Sequence, residues 1–518
     1  MKSMRSNDKV RLHVPVLLLL GHSYLCYHSL FTLQSTIYLG KTFDFVHGPI
    51  VGECTETSAL IWYRDALGRR TPPILKYWPI LELEAIEAHP YEVAIEIQKD
   101  KDFTSQTRLE NLIPNTLYYY QIGKRKGSFK TPGSPSCSFV FGSCIGGQGY
   151  GRDAPGSTNG EEFPIFETIS EMKPDFFLMN GDSIYADDKI EKVSRNPWNQ
   201  GDHFLTRNGI DVMHAAKDLD GFRDRYKYHL EDLAYSKFLR NSPVYSTWDD
   251  HEIMDNFGQT SLRRQGLGRL FDDGLQAFLE YWPRTIHHDD PHQIYNSFNW
   301  GPHVEVFILD VRSYRDIHVL QEGSTTPSMR YILGTEQLTW LLESLSSSKA
   351  TWKFIATSIP LSYPTGWPTP DIDGYDGWSD GKRGHIGGAE FELLRIFQHI
   401  DTETIENVIF LSGDVHFPFV LSYDPFQKGK PLVYEIAATP FHALCLSPPE
   451  QGPDDTFHPT VLYSHGVFGA NLFNFGHVQI SDDGKFTFDI RNRNGKSMYN
   501  LELSPLNSKE VASTLLRK

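Results

Sequence analysis

The run Phe176-Phe177-Leu178-Met179-Asn180-Gly181-Asp182-Ser183-Ile184-Tyr185 is apolar for four residues, turns at Gly-Asp, and places a tyrosine three positions further on. Its length and composition suit a buried parallel strand. A carboxylate at the carboxyl end of such a strand lies where open α/β sheets bind their ligands. Three other stretches end alike. Ser138-Phe139-Val140-Phe141-Gly142-Ser143-Cys144 ends on a thiol, and Val244-Tyr245-Ser246-Thr247-Trp248-Asp249-Asp250-His251-Glu252 ends on a crowd of ligand-type side chains. Asn407-Val408-Ile409-Phe410-Leu411-Ser412-Gly413-Asp414-Val415-His416 ends on Asp-x-His. Each alone is a weak signal. Together they lay out a multinuclear metal site.

Composition narrows the alternatives. The chain has 518 residues, long enough for two to four domains, and a net charge of −16. That balance argues against nucleic acid as a partner, because phosphate backbones are gripped by basic patches. It leaves room for a small phosphorylated substrate or a phosphodiester, since bound cations supply local positive charge inside an acidic protein. The five cysteines, Cys26, Cys54, Cys137, Cys144 and Cys445, are scattered without a CxxC pair and spell neither a zinc ribbon nor a disulfide scaffold.

Residues 1–34 combine Lys2, Arg5, Lys9 and Arg11 with the short apolar run Val14–Leu20, the pattern of a signal peptide or weak anchor. The run is shorter than a membrane span requires. A secreted or membrane-associated protein is therefore expected, with any membrane contact made through this segment; the alternative is a cytosolic extension. No Asn-x-Ser/Thr sequon adds support. Over 43–131, short alternating stretches such as Ser58–Tyr63, Tyr91–Ile97 and Leu117–Ile122 predict a small β-sandwich. Leu112–Tyr120 resembles the tyrosine-corner strand of fibronectin type III domains, and 131–136 reads as a linker. From 138 to 500 strands alternate with helices, predicting an α/β lobe, with 501–518 as a tail. Helices are expected over 222–239 and 262–282, and from Thr335 as a cap. Two long Gly-, Pro-, Asp- and Trp-rich stretches, 186–220 and 361–388, have the length of functional loops.

The ligand types suggest particular chemistry. A strand-end cysteine is more often buried filler, but the three companion strands reverse that for Cys144. A thiolate facing tyrosinate and carboxylates suits a high-valent transition metal such as ferric iron rather than magnesium. Asp182 can bridge two ions. Tyr185 is a ligand or merely a packed ring. Of Asp249, Asp250, His251, Glu252, Asp255 and Asn256, some must support rather than ligate. Asp414 and His416 point the same way if strand geometry continues past Gly413. In Leu309-Asp310-Val311-Arg312-Ser313-Tyr314-Arg315, the guanidinium of Arg312 or Arg315 is a bidentate clamp for phosphate oxygens, unless it pairs with a carboxylate such as Asp310 or Asp316.

These five motifs, in this order, resemble the PhoD-type alkaline phosphatases within the calcineurin-like metallophosphoesterases, over roughly 43–500. The resemblance implies an α/β metallophosphoesterase fold, a four-layer α/β/β/α sandwich, preceded by a small all-β fibronectin III-like sandwich. It implies ferric iron and calcium, with other divalent metals possible, Cys144, Asp182 and Tyr185 as iron ligands, and Asp250, Asn256, Asp414 and His416 shared among the metals. Which of Asp250 and Asn256 fills the position that other metallophosphoesterases give to asparagine stays open. The 186–220 insertion and Tyr150-Gly151-Arg152-Asp153 are places where substrate choice can differ.

The expected activity is hydrolysis of phosphate mono- or diesters by a metal-activated hydroxide, with Arg312 or Arg315 neutralising the transferring group and His251 protonating the leaving alkoxide. The rival reading is a non-catalytic exported binding protein carrying a decayed hydrolase lobe.

Overall fold

A computed structural model of the chain describes residues 46–506 except 81–89, 149–162, 192, 195–202, 205–209, 211, 286, 288, 317–330, 366–375 and 470–471. The leader read at 1–34, the Tyr150–Asp153 segment and much of the two long loops lie outside the described residues.

Alternation within each buried strand sends side chains into two different cores. From Phe176–Asn180, Phe176 and Leu178 join Phe139, Phe141, Phe354, Ile409 and Leu411 in one cluster. Phe177 and Met179 point the other way, against Phe166, Phe238 and Phe278 of helices. The second large sheet does the same. Val306 and Ile308 face the shared core, whereas Phe307, Ile355 and Phe410 pack on Leu341, Leu393 and Phe397 from helices Gly334–Ser347 and Glu390–Thr402. Helices, sheet, sheet and helices follow one another in that order.

The first sheet has nine strands, in the order Ser497–Leu503, Phe486–Asn492, Asn474–Ile480, Cys137–Gly142, Phe176–Asn180, Val244–Thr247, Val46–Gly52, Ala59–Asp65 and Thr104–Leu109. The second has seven: Asn296–Trp300, Val304–Ile308, Trp352–Ala356, Val408–Ser412, Val433–Ala437, Phe419–Tyr423 and Pro459–Ser464. A four-stranded sheet joins Tyr91–Ala94, Ile74–Pro79, Leu117–Ile122 and Arg125–Lys130. The central strands of both large sheets run parallel, so their carboxyl ends share one edge.

The structure departs from the sequence expectation at several places. Within 43–131 the strands fall into a three-stranded and a four-stranded layer that share one cluster, Val51, Ile61 and Tyr63 packing with Leu75, Tyr120 and Phe129, but the three-stranded layer is also continuous with a larger sheet. Those three strands extend the nine-stranded sheet, Gly52 pairing in parallel with Val244, and the rest form the four-stranded sheet. Leu75, Tyr120 and Phe129 share a core with Phe139 and Phe354. Strand pairing between distant segments is invisible to local periodicity. The tyrosine at the predicted corner does accept a bond there, the Tyr118 hydroxyl taking the Ile113 N–H at 2.9 Å. Helix 222–239 is two helices, Leu219–Leu230 and Leu233–Leu239, because Asp232 caps the second by accepting the Tyr235 N–H. Helix 262–282 is likewise Gln259–Arg264 and Gly268–Tyr281, interrupted where Gly266 takes φ +77°. Thr335 caps nothing; the helix starts at Gly334, and Glu392 accepts the N–H groups of Ile332 and Leu333 instead. The last strand runs to Leu503, past the expected boundary at 500.

A fragment beginning at Ser138 is therefore expected not to fold. It would lose three strands of the nine, together with the bonds from Trp62 Nε1 to Glu280 O and from Tyr120 to Arg240 O. Soluble expression and circular dichroism check this. A soluble, cooperatively melting fragment would show that the first 137 residues are dispensable.

Candidate metal centre

Register places the site. Gly142 pairs with Met179 and Asn180 with Thr247, so three strands stop nearly level. Two residues beyond those ends come Cys144, Asp182 and Asp249, and two beyond Ser412 comes Asp414. Cys144, Asp182, Asn256, Asp414 and His416 have φ of 66, 53, 57, 66 and 57°. Left-handed backbone is uncommon for such residues and collects where side chains are aimed at a function.

The two sheets are stitched at this edge. Asn180 Nδ2 donates to Thr357 O and Leu411 O at 3.1 and 3.0 Å, and Thr247 Oγ1 donates to Leu309 O at 2.7 Å. Glycines permit the approach. A Cβ on Gly413 would lie 2.7 Å from Ser143 Oγ and 2.8 Å from Ser358 O; one on Gly181 would meet Asp249 Cβ at 2.7 Å.

Three overlapping groups of donors result, each with its ligand atoms within 4.8 Å of one another: Cys144, Asp182 and His416; Asp182, Asp250 and His251; Asp249, Asp250 and Asp414. Asp182 is common to the first two, and Asp250 to the last two. Tyr185 belongs with the first, its hydroxyl 3.3 Å from Asp182 Oδ2 and 2.7 Å from His416 Nε2. His416 Nδ1 donates to Leu444 O at 2.6 Å, which leaves Nε2 with the lone pair that a cation takes. Thr439 Oγ1 and Ser143 Oγ lie 3.1 and 3.0 Å from the Cys144 sulfur. The His251 ring stacks on Tyr185 at 4.0 Å, its Nδ1 held between the Asp187 oxygens at 2.9 and 3.0 Å.

So many acids in a dry corner disturb one another. Burial, with neighbouring negative groups, pushes Asp182 and Asp414 well above the usual carboxylate range, and Tyr185 above the usual phenol. Burial pushes the Cys144 thiol up to about 12, against the hydrogen bonds from Ser143 and Thr439. Burial opposes charge on Asp250 as well, but His251 and Arg312 hold it below the ordinary value. Burial lowers His416 to about 4, helped by His251, so its imidazole stays neutral. Burial likewise works against charge on His251, yet Asp250, Asp187 and Asp255 keep it well above the ordinary imidazole. The buried Asp249 Oδ2 has no hydrogen-bond partner. A neutral imidazole with a lone pair at Nε2, together with a thiol, a phenol and carboxylates whose anionic forms a multivalent cation would stabilise, fits a metal centre.

Each residue read from the sequence can now be placed. Cys144, Asp182, Tyr185, Asp250, Asp414 and His416 come together. Asp414 and His416 do not do so by strand alternation. The strand ends at Ser412, and the left-handed turns deliver them to different donor groups. Asn256 supports Asp250 through its N–H, 2.7 Å from Oδ2, while its amide donates to Asp255. The arginines are the main correction. Arg312 is 0% exposed, with Nε 2.5 Å from Asp249 Oδ1 and Nη1 and Nη2 at 2.7 and 2.6 Å from Asp376. Its guanidinium is occupied by carboxylates and is not presented to a substrate. Arg315 is also buried and pairs with Asp376 at 2.7 Å. Asp310, offered as a pairing partner, instead accepts N–H groups from Trp248, Arg312 and Ser313. Sequence reasoning missed Asp187, Asp376 and Thr439. Asp376 and Thr439 lie outside the strand-end motifs, and Asp187 differs from other loop acids only in what it faces.

Known proteins resemble this chain in sequence and in fold. The family model described as PhoD-like phosphatase matches residues 139–496. Alkaline phosphatase D of Bacillus subtilis (strain 168) is 26% identical over 332 residues, 59% of this chain and 52% of that protein. The chain thus spans about half the length of this curated relative. A solved structure of PhoD aligns with a TM-score of 0.67 at 19% identity, covering 90% of this chain and 94% of that one, a likeness of sheet-rich mixed α/β fold.

Because Arg312 stands between two buried carboxylates, Arg312→Ala is expected to cost stability first. Removing one partner of a buried ion pair costs roughly 3–5 kcal/mol, since the partner charges are left uncompensated. Arg312→Lys should recover only part, an ammonium lacking the paired donors. Denaturant melts of the three proteins test it; an unchanged midpoint in Arg312→Ala would return the arginine to the role of substrate clamp.

Proposed function

The chain belongs to the PhoD-like phosphatase family, and on that premise we propose that it hydrolyses phosphate esters at this donor cluster. One observation carries the reading: the three overlapping donor groups share Asp182 and Asp250, as adjacent cations require. The four-layer packing of the two large sheets is read, within the same proposal, as the metallophosphoesterase sandwich.

Iron in the ferric state is assigned to Cys144, Asp182 and Tyr185, with His416 beside them, and calcium to the oxygen-rich side formed by Asp250, Asp414 and Asn256. Thiolate and phenolate favour the former and carboxylate and amide oxygens the latter. Cations held there supply Lewis acidity toward phosphoryl oxygens and acidify water.

The chain's own residues do the rest. Asp182 and Asp250 fix the spacing of the charged centre. Asp187 holds His251 Nδ1 and favours the imidazolium, leaving the Nε2 proton for the departing alkoxide. Tyr185 stacks beneath the ring and sets its tilt. Arg312 anchors Asp249 rather than the phosphate. The complete donor set favours an enzyme over a binding protein with a decayed site. Substrate, mono- or diester preference, and export through the leader belong to the proposal alone.

Elemental analysis beside a screen of phosphate mono- and diesters tests the function. Purification without stoichiometric metal, or turnover of no ester, would overturn it. Asp182→Asn should lose both metal and turnover. His251→Asn should keep its metal and lose about 10²–10⁴-fold in rate on alkyl esters, but far less on nitrophenyl esters, whose leaving group needs no proton. Metal loss in His251→Asn would make this histidine a ligand.

A further inference from the structure

Glu252 closes the run Asp249-Asp250-His251-Glu252, yet belongs to none of the donor groups. It is 0% exposed, and its carboxylate is taken up by donors of two loops. Oε2 accepts the N–H of Asp249 at 2.7 Å and of Asp182 at 3.0 Å. Oε1 accepts the N–H of Ser183 at 2.5 Å and its hydroxyl at 2.7 Å. Four donors from two loops thus meet on one carboxylate, whose closest partners are neither Lys nor Arg.

The position of these bonds matters. Thr247 pairs with Asn180 as the last rung between their strands. Beyond that rung the backbones leave the ladder, Asp182 entering left-handed conformation at φ 53°. Glu252 continues the link where the ladder stops, joining the N–H of Asp182 to that of Asp249. By contrast, Asp182 is tied to Cys144 independently: Ile145 N–H donates to Asp182 O at 2.8 Å and Cys144 N–H to Gly181 O at 3.3 Å.

We propose that Glu252 is a positioning residue that fixes the Asp182 turn against the Asp249–Asp250 turn, and so sets the spacing between Asp182 and Asp250, the carboxylates common to the donor groups. The subsite of Cys144, Asp182, Tyr185 and His416 keeps its own backbone ties and does not depend on Glu252. The inference rests on the metal-centre reading of the proposed function, but needs no substrate.

The two oxygens face only donors, which makes the amide a sharp probe. In Glu252→Gln one end keeps its bonds, and the other sets an NH2 against N–H groups that have lost their acceptor. Metal-free full-length protein is titrated with Co2+, read both by calorimetry and by the thiolate-to-cobalt absorption band, with circular dichroism confirming the fold. In Glu252→Gln the equivalent giving the thiolate band is expected to bind as in the wild type, and the next to weaken tenfold or more. Should that variant fail to fold, Ser183→Ala deletes a single donor and should weaken the second equivalent a few-fold at unchanged circular dichroism. A purely structural role would lower the melting temperature and leave both affinities, or depress both alike; either result overturns the inference. A wild type that binds both equivalents and hydrolyses no ester would sink the proposed function and leave this inference standing.

Discussion

Asp182, Asp249, Asp250, Glu252 and Asp414 are drawn into one water-poor corner. Left to themselves they repel, and burial penalises each charge further. Much of the surrounding architecture answers that constraint. Arg312 lies between Asp249 and Asp376, backbone N–H groups cover Asp250 and Glu252, and Asn180 and Thr247 fasten one sheet to the other directly beneath. These are directed, short-range answers and do not cancel the charge. What they leave is a fixed, negative, multidentate surface that only a multivalent cation completes.

The same constraint explains why the converging donors sit on turns and not on the strands. A strand offers alternate faces, and both faces here are already used for packing, Phe176 and Leu178 on one side, Phe177 and Met179 on the other. Side chains that must converge have to come from residues past the ladder, where left-handed backbone turns Cys144, Asp182 and Asp414 inward. Glycine at 181 and 413 then leaves room for the neighbouring strand ends.

What could be read from the sequence follows from range. The four strand ends were legible because an apolar run followed by Gly-Asp or Ser-Cys is written in adjacent residues. The identity of the donors was legible too, since Cys144, Asp182 and His416 each close such a run. Partnership was not. Arg312 looked like a phosphate clamp because Asp376, its bidentate partner, lies 64 residues away in a loop without periodicity. Nor does anything in the alternation of 43–131 report that Gly52 pairs with Val244, so the join between that segment and the nine-stranded sheet was not legible. Glu252 was visible only as one more acid in a crowd; its office depends on N–H groups, which sequence does not show.

The order of synthesis adds a consequence. Cys144 emerges early, but its sulfur is bonded by Thr439, 295 residues later, and its strand is flanked by Asn474–Ile480, where Ser138 meets His477 across 339 residues. Until those segments are joined, this thiol lacks the hydroxyl of Thr439 that bonds it in the fold. Its surroundings are not complete until the carboxyl-terminal strands dock. Non-local pairing of this kind is slow. Completion of the donor cluster is thus deferred to a late stage of folding, and a protein stalled before that stage carries the Cys144 thiol without its neighbouring donors.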